Sequence, residues 1–237
     1  MTDTPAPTSH ARLSPSSSSR WISCPYSAWA ELPEVPNVYG GRDEGNDAHG
    51  WAADVLVGNA TLEQVPDDCL EGVTTYVEHI QSNQCPNPPI VERKWHSLSI
   101  PEFGGTMDCV LIDGNRAAFY DYKNGKNDVK AEGNTQLLCY ASILGEHFHI
   151  EEFWGVIVQP NSKIKKGRKP KVAQFSPFEV DNHRERVAAA AVSDEKVTGE
   201  QCMFCPILAA GLCEEGKEYA KGQWWKKLKH LQNVIPQ

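Results

Sequence analysis

The stretch AFYDYKNGK, residues 117–125, places a carboxylate and an ammonium two residues apart, where an apolar run gives way to a polar turn. In an extended strand, Asp121 and Lys123 share one face and Tyr120 and Tyr122 the other. The preceding run, GTMDCVLID, carries a second acid, Asp108. A two-residue turn at Gly114-Asn115, or a four-residue turn over 113–116, sets Asp108 directly opposite Asp121. A turn at Asp113-Gly114 makes them diagonal neighbours on the same face, and only an odd-length loop or a bulge separates them. Opposed carboxylates with Cβ atoms about 4.5–5.5 Å apart repel. Lys123 is one candidate to compensate that charge. A hard divalent cation such as Mg²⁺ or Mn²⁺ is the other.

Other residues could join this group. Glu92 lies on the strand-like run before Asp108, His49 sits in an early helical segment, and Gln136 and Tyr140 stand one helical turn apart just after the strands. A second constellation is CMFCPILAAGLC, which spaces Cys202, Cys205 and Cys213 as C-x2-C-x7-C. Three thiolates leave one position of a tetrahedral ion unfilled, so a fourth ligand must come from elsewhere. Cys69, Cys85, Cys109 and Cys139 lack ligand spacing and read as buried thiols.

The elements that would position these groups follow from periodicity and turn chemistry. Residues 1–13 read as a disordered leader. A first helix is expected over about 16–32, kinked or delayed by Pro25. NVYGGRDEGN reads as a loop, followed by helices at 47–58 and 67–83, the second with an acidic first turn that suits the helix dipole. Three strands separated by glycine-containing turns come next, then a helix within 131–148 and a buried strand at EEFWGVIVQP. A basic loop leads to a strand at about 171–176 and a helix at about 178–197. The tail holds the cysteine cluster and a last helix. This order makes an α/β or α+β core with a helical surround.

The chain has 237 residues, enough for one sizeable core, and a net charge of -8, which argues against a generic polyanion binder. The charge is uneven. KIKKGRKPK, residues 163–171, carries six basic side chains and no acid, and WWKKLKH, residues 224–230, sets three lysines beside two tryptophans. Local contact with a phosphate backbone is thereby open to it. No run of eighteen apolar residues and no signal-like N-terminus are seen, so a soluble, cytoplasmic protein without a membrane partner is expected, its eight cysteines thiols or metal ligands rather than disulfides.

The order GTMDCVLID, AAFYDYKNGK, QLLCYA resembles the RecB-like branch of the PD-(D/E)XK nuclease superfamily. His49, Gly105 with Asp108, Asp121 with Lys123, and Gln136 with Tyr140 match that branch's motifs; the proline before the first acid in the superfamily's name-giving pattern is missing, as is common in this branch. LSPSSSSRWISCPYSAWAEL and EGNDAH are similar to segments of phage-encoded members. The resemblance implies a restriction-endonuclease-like α/β core, with a mixed central sheet flanked by helices, in a single domain over 14–237. Residues 14–88 would form its N-terminal helical part, 89–180 the catalytic core, and 181–237 the C-terminal helices and cysteine region.

It further implies metal-dependent hydrolysis of phosphodiester bonds at linear DNA ends, as in phage recombination or replication in a host cytoplasm. Asp108, Asp121, His49 and the Tyr122 carbonyl would hold Mg²⁺ or Mn²⁺, with Glu92 assisting. Lys123 would position or help deprotonate the attacking water, while Gln136 and Tyr140 orient the DNA or the lysine. Cys24 would join Cys202, Cys205 and Cys213 around a [4Fe-4S] cluster, with Zn²⁺ as the alternative. A single-strand annealing protein is a candidate partner. The rival readings are a non-catalytic DNA-binding scaffold that keeps the fold, and a CRISPR-adaptation-type nuclease acting on single-stranded overhangs.

Overall fold

The computed structural model describes residues 11–31 and 42–223. The tryptophan and lysine segment 224–230 lies outside them, as do residues 1–10 of the expected leader and 37–41 of the expected loop.

A five-stranded mixed sheet in the order β1-β2-β3-β4-β5 divides two helical layers. β1 (Ile90–His96), β2 (Gly104–Asp113) and β3 (Arg116–Tyr122) form an antiparallel meander, α5 (Thr135–His147) crosses to β4 (Glu152–Val158), which runs parallel to β3, and β5 (Lys171–Phe175) returns antiparallel. The β2–β3 turn is the two-residue Gly114-Asn115 form, with Asp113 paired to Arg116 and Gly114 at φ 58°. Glycine accepts that left-handed conformation without steric cost.

One sheet face packs on α5, α6 (Pro177–Ala191) and α1 (Ser18–Ser23) through Trp21, Phe119, Leu137, Ile143, Phe175 and Val187. The other packs on α3 (Arg42–Val57) and α4 (Asp67–Gln81) through Ala52, Val77, Leu111, Tyr120 and Val158. α4 buries Val73, Tyr76, Val77 and Ile80 at i, i+3, i+4 and i+7, the single stripe of a helix docked on a sheet. Removing one such side chain from water stabilises the fold by about 1.5–3 kcal/mol. Local chemistry fixes the helix starts. Asn134 caps α5 by accepting from the backbone N–H groups of Gln136 and Leu137, and Ser176 with Glu179 forms a reciprocal capping box ahead of Pro177.

Several boundaries differ from the sequence reading. Leu13 is fully buried and donates its backbone N–H to the Glu102 carbonyl, so 11–13 belong to the fold rather than to a leader. The first helix is broken into a 3-10 turn at Pro15–Ser17, α1, and α2 (Tyr26–Trp29); Cys24, ahead of Pro25, leaves helical geometry because proline crowds the α conformation of the residue before it. α3 begins at Arg42, inside the expected loop. α6 ends at Ala191 rather than near 197, since Tyr26 N–H donates to the Glu195 carbonyl and tertiary contact draws that segment away. Cys69 and Cys85 are half-buried rather than buried. Residues 206–209 and 214–223 are helical near the C-terminal cysteines.

Candidate functional site

β3 delivers Asp121 and Lys123 to the end of the sheet, and α5 sets Gln136 and Tyr140 against them. Lys123 Nζ donates to Gln136 Oε1 at 2.8 Å and to Asp121 Oδ1 at 3.2 Å. Gln136 Nε2 donates to Asp121 Oδ1 at 2.7 Å and to Tyr140 Oη at 2.8 Å, and Tyr140 Oη donates to the Thr106 carbonyl at 3.1 Å. Each polar group in this chain of hydrogen bonds has a defined role, so the lysine and the carboxylate are held rather than merely adjacent. Asp121 is 2% exposed; its Oδ2 lies 2.9 Å from Lys123 Nζ yet receives no well-directed hydrogen bond. A buried carboxylate oxygen with unfilled lone pairs is a ready ligand for a cation. Burial pushes the pKa of Asp121 up, Lys123 opposes this, and Asp108 adds to it.

Asp108 is arranged differently. The β2–β3 ladder runs in the register that would oppose Asp108 and Asp121, but its last pair is Cys109 with Tyr120. Beyond it the Tyr122 backbone N–H donates to Asp108 Oδ2 at 2.7 Å. On the other side of β2, pairing with β1 skips the Glu92–Asp108 position, and Glu92 has φ 47°. The left-handed region is unfavourable for a residue with a Cβ, by about 1–3 kcal/mol, and such residues cluster at functional sites. Both strands reverse their facing here: Val91 and Trp95 lie in opposite cores, as do Met107 and Cys109.

The consequence is a cluster. One ligand atom each of His49, Glu92 and Asp108 lie within 4.8 Å of one another, with His49 Nδ1 3.4 Å from Asp108 Oδ2. α3 supplies His49, whose ring meets the buried Tyr122 ring edge-on at 5.2 Å. Burial disfavours the charged imidazole, but Asp108, Glu92 and Asp121 outweigh it and raise the histidine pKa. The Glu92 pKa is pushed up to about 7 by desolvation and by Asp108, with His49 opposing. Crowded acids that resist ionising together are what a divalent cation relieves.

Glu92, expected as a peripheral third acid, is thus one of the three clustered donors, while Asp121 is drawn toward Lys123 and Gln136. The left-handed turn at Glu92 and the Thr106 carbonyl carried no sequence signal. Gly105, part of the sequence motif, has a packing reason: a Cβ there would stand 2.9 Å from Pro15 Cδ.

The four cysteines Cys24, Cys202, Cys205 and Cys213, from opposite ends of the chain, line one cavity of about 20 Å³ together with Arg20. Val197 N–H reaches Cys24 Sγ at 3.5 Å and Gly216 N–H reaches Cys213 Sγ at 3.3 Å. No three of these Sγ atoms lie within 4.8 Å of one another. A tetrahedral zinc site with Zn–S near 2.3 Å would require about 3.8 Å between sulfurs. The cavity as it stands admits a single small ion.

The chain belongs to the family described as "Protein of unknown function (DUF2800)", whose model matches residues 10–233. Among solved structures, "Crystal structure of SSO0001" is similar over 84% of each chain at 12% identity and a TM-score of 0.39. No helix among the described residues is long and apolar enough to cross a membrane.

Proposed function

We propose that this protein is a divalent-metal-dependent deoxyribonuclease of the RecB-like PD-(D/E)XK type, acting on linear duplex DNA ends as an exonuclease. The observation that carries this reading is the convergence of His49, Glu92 and Asp108 beside the buried Asp121–Lys123 pair. Asp108 and Asp121 would hold Mg²⁺ or Mn²⁺ with His49, Glu92 and the Tyr122 carbonyl. The bound ion would supply Lewis-acid stabilisation of charge on the phosphoryl group.

The chain's own residues do the rest. Lys123, restrained by Gln136, presents an ammonium to the attacking water and to the developing phosphoryl charge. Tyr140 locks Gln136 through the Thr106 carbonyl, and Gln136 holds Lys123 in place alongside its ion pair with Asp121. Water oxygen attacks phosphorus, the bond to the leaving sugar oxygen breaks, and the water proton ends on that oxygen. The four cysteines would hold a [4Fe-4S] cluster as a staple between chain ends once the segments that carry them move apart, since the cavity between them has room for a single small ion. Zn²⁺ is the alternative at the same thiols.

The test is purified protein with end-labelled linear duplex, with Mg²⁺ or Mn²⁺ and with EDTA. Metal-dependent shortening is the expected outcome. Tight binding without any shortening would instead establish the non-catalytic scaffold.

A further inference from the structure

The loops that follow β3 and β4 are joined into one unit at the strand ends carrying Asp121 and Lys123. Its centre is Gln159, wholly buried at the close of the apolar run VIVQ. Gln159 Nε2 donates to the carbonyls of Gly125 and Asn127, both at 2.7 Å. Its Oε1 accepts from Val129 N–H at 2.9 Å and from Lys171 Nζ at 3.0 Å.

Asp128 closes the unit from the other side, accepting from Lys171 Nζ at 2.9 Å and Ser162 Oγ at 3.0 Å. Lys163 N–H donates to the Lys126 carbonyl at 2.9 Å, and Arg168 Nε donates to the Ser162 carbonyl at 3.0 Å. Gly167 is buried against this junction. A Cβ there would stand 2.0 Å from Asp128 Oδ1 and 2.5 Å from Ser162 Oγ, so any larger residue must displace those two side chains from the junction.

The result is a latch between two basic loops. It uses Lys171 and Asp128 internally, and leaves Lys126, Lys130, Lys163, Lys165, Lys166 and Lys169 exposed, none within ion-pair distance of a described carboxylate. Such a concentration of unneutralised ammonium groups stands out in a chain of net charge -8. Lysines on a shelf fixed by partly buried hydrogen bonds match a fixed polyanion, because the ordering entropy of the loops is already spent. Lys123 N–H donates to the Val158 carbonyl at 2.8 Å, which ties the shelf to the strand end that carries Asp121.

We propose that this latched shelf binds the sugar-phosphate backbone of duplex DNA next to the acidic site, with Gln159, Asp128 and Gly167 as positioning residues. The choice of DNA as the polyanion rests on the nuclease reading above. The experiment is fluorescence anisotropy of the full chain with a labelled blunt duplex in EDTA, over a range of salt. A protein carrying Lys163→Gln, Lys165→Gln, Lys166→Gln and Lys169→Gln should bind at least about tenfold more weakly. Its dependence of log affinity on log salt should be shallower by about 0.9 for each phosphate that is no longer neutralised. Its thermal midpoint should match the parent's. Gly167→Ala, which removes no charge, should weaken binding severalfold.

Parental affinity and salt slope in the fourfold variant, or a parent that does not bind the duplex, would overturn the shelf; unchanged binding by Gly167→Ala would overturn the latch. Cleavage by the parent with Mg²⁺, measured on the same duplex, separates the two inferences. A parent that cleaves while the fourfold variant binds normally leaves the nuclease without the shelf, and the converse leaves the shelf without the nuclease.

Discussion

The acidic site and the cysteine cavity place potential ligands in opposite ways. Asp121 on a buried strand, Lys123 just beyond its end, and Gln136 and Tyr140 on a capped helix are fixed in position by hydrogen bonds among them without any ion. Cys24, Cys202, Cys205 and Cys213 sit at a helix break, in a 3-10 turn and in loops, and the backbone N–H groups of Val197 and Gly216 donate to two of them. The first site is preorganised by the fold. The second brings its four thiols to one cavity without a comparable network of hydrogen bonds among them. A rigid first site suits a reaction, where misplacement is costly, and an adaptable second one suits a structural staple.

This contrast can be broken most directly at Lys123. Lys123→Ala or Asp121→Asn should lower metal-dependent DNA hydrolysis by about a thousandfold or more, while thermal melting followed by circular dichroism stays near the parent's. Retention of activity in either would remove the basis for treating this region as preorganised for chemistry.

At the cysteines the expected pattern is reversed. Cys24→Ser or Cys205→Ser should abolish bound metal, read by metal analysis and visible absorbance of anaerobic protein. The thermal midpoint should fall by several degrees, because the chain ends are no longer tied together. Colourless parental protein with one zinc per chain would replace the cluster with an ion at the same thiols.

A finer probe is Tyr140→Phe, which removes only the hydroxyl between Gln136 and the Thr106 carbonyl. A loss of about ten- to a hundredfold in the rate constant at saturating DNA is expected, with Michaelis constant little changed, since the hydroxyl acts by positioning Lys123 through Gln136.

The smallest effect lies away from both regions. His183 is 2% exposed, with Cys139 Sγ 3.3 Å from its Nε2. Burial, aided by the charge of Arg186, pushes its pKa down to about 4. A folded value below the unfolded one near 6.5 means that the histidine contributes stability above pH 6.5, and this is lost as pH falls toward 4. The slope approaches about 1.4 kcal/mol per pH unit inside that window. Urea denaturation at pH 7 and pH 5 should show this loss, and His183→Leu should flatten it.

The sequence by itself determined what local chemistry controls. The turn around Gly114 limits the hairpin to registers that keep Asp108 and Asp121 on one face, Pro25 interrupts the first helix, and the period-two and helical patterns place the strands and helices on either side of Asp108 and Asp121; the structure selects the Gly114-Asn115 turn and shows Asn134 and Ser176 capping their helices. Each of these acts over a few residues through backbone sterics or a neighbouring hydrogen bond. The tertiary structure alone decided how far the pattern continues and where it is interrupted. Glu92 adopts a left-handed conformation, the ladder opens at Asp108, and Asp108 meets His49 from a distant helix. Cys24 meets the C-terminal cysteines, and Gln159 binds two loops that are more than thirty residues apart in the chain. Such contacts depend on three-dimensional proximity between segments whose local preferences carry no record of each other.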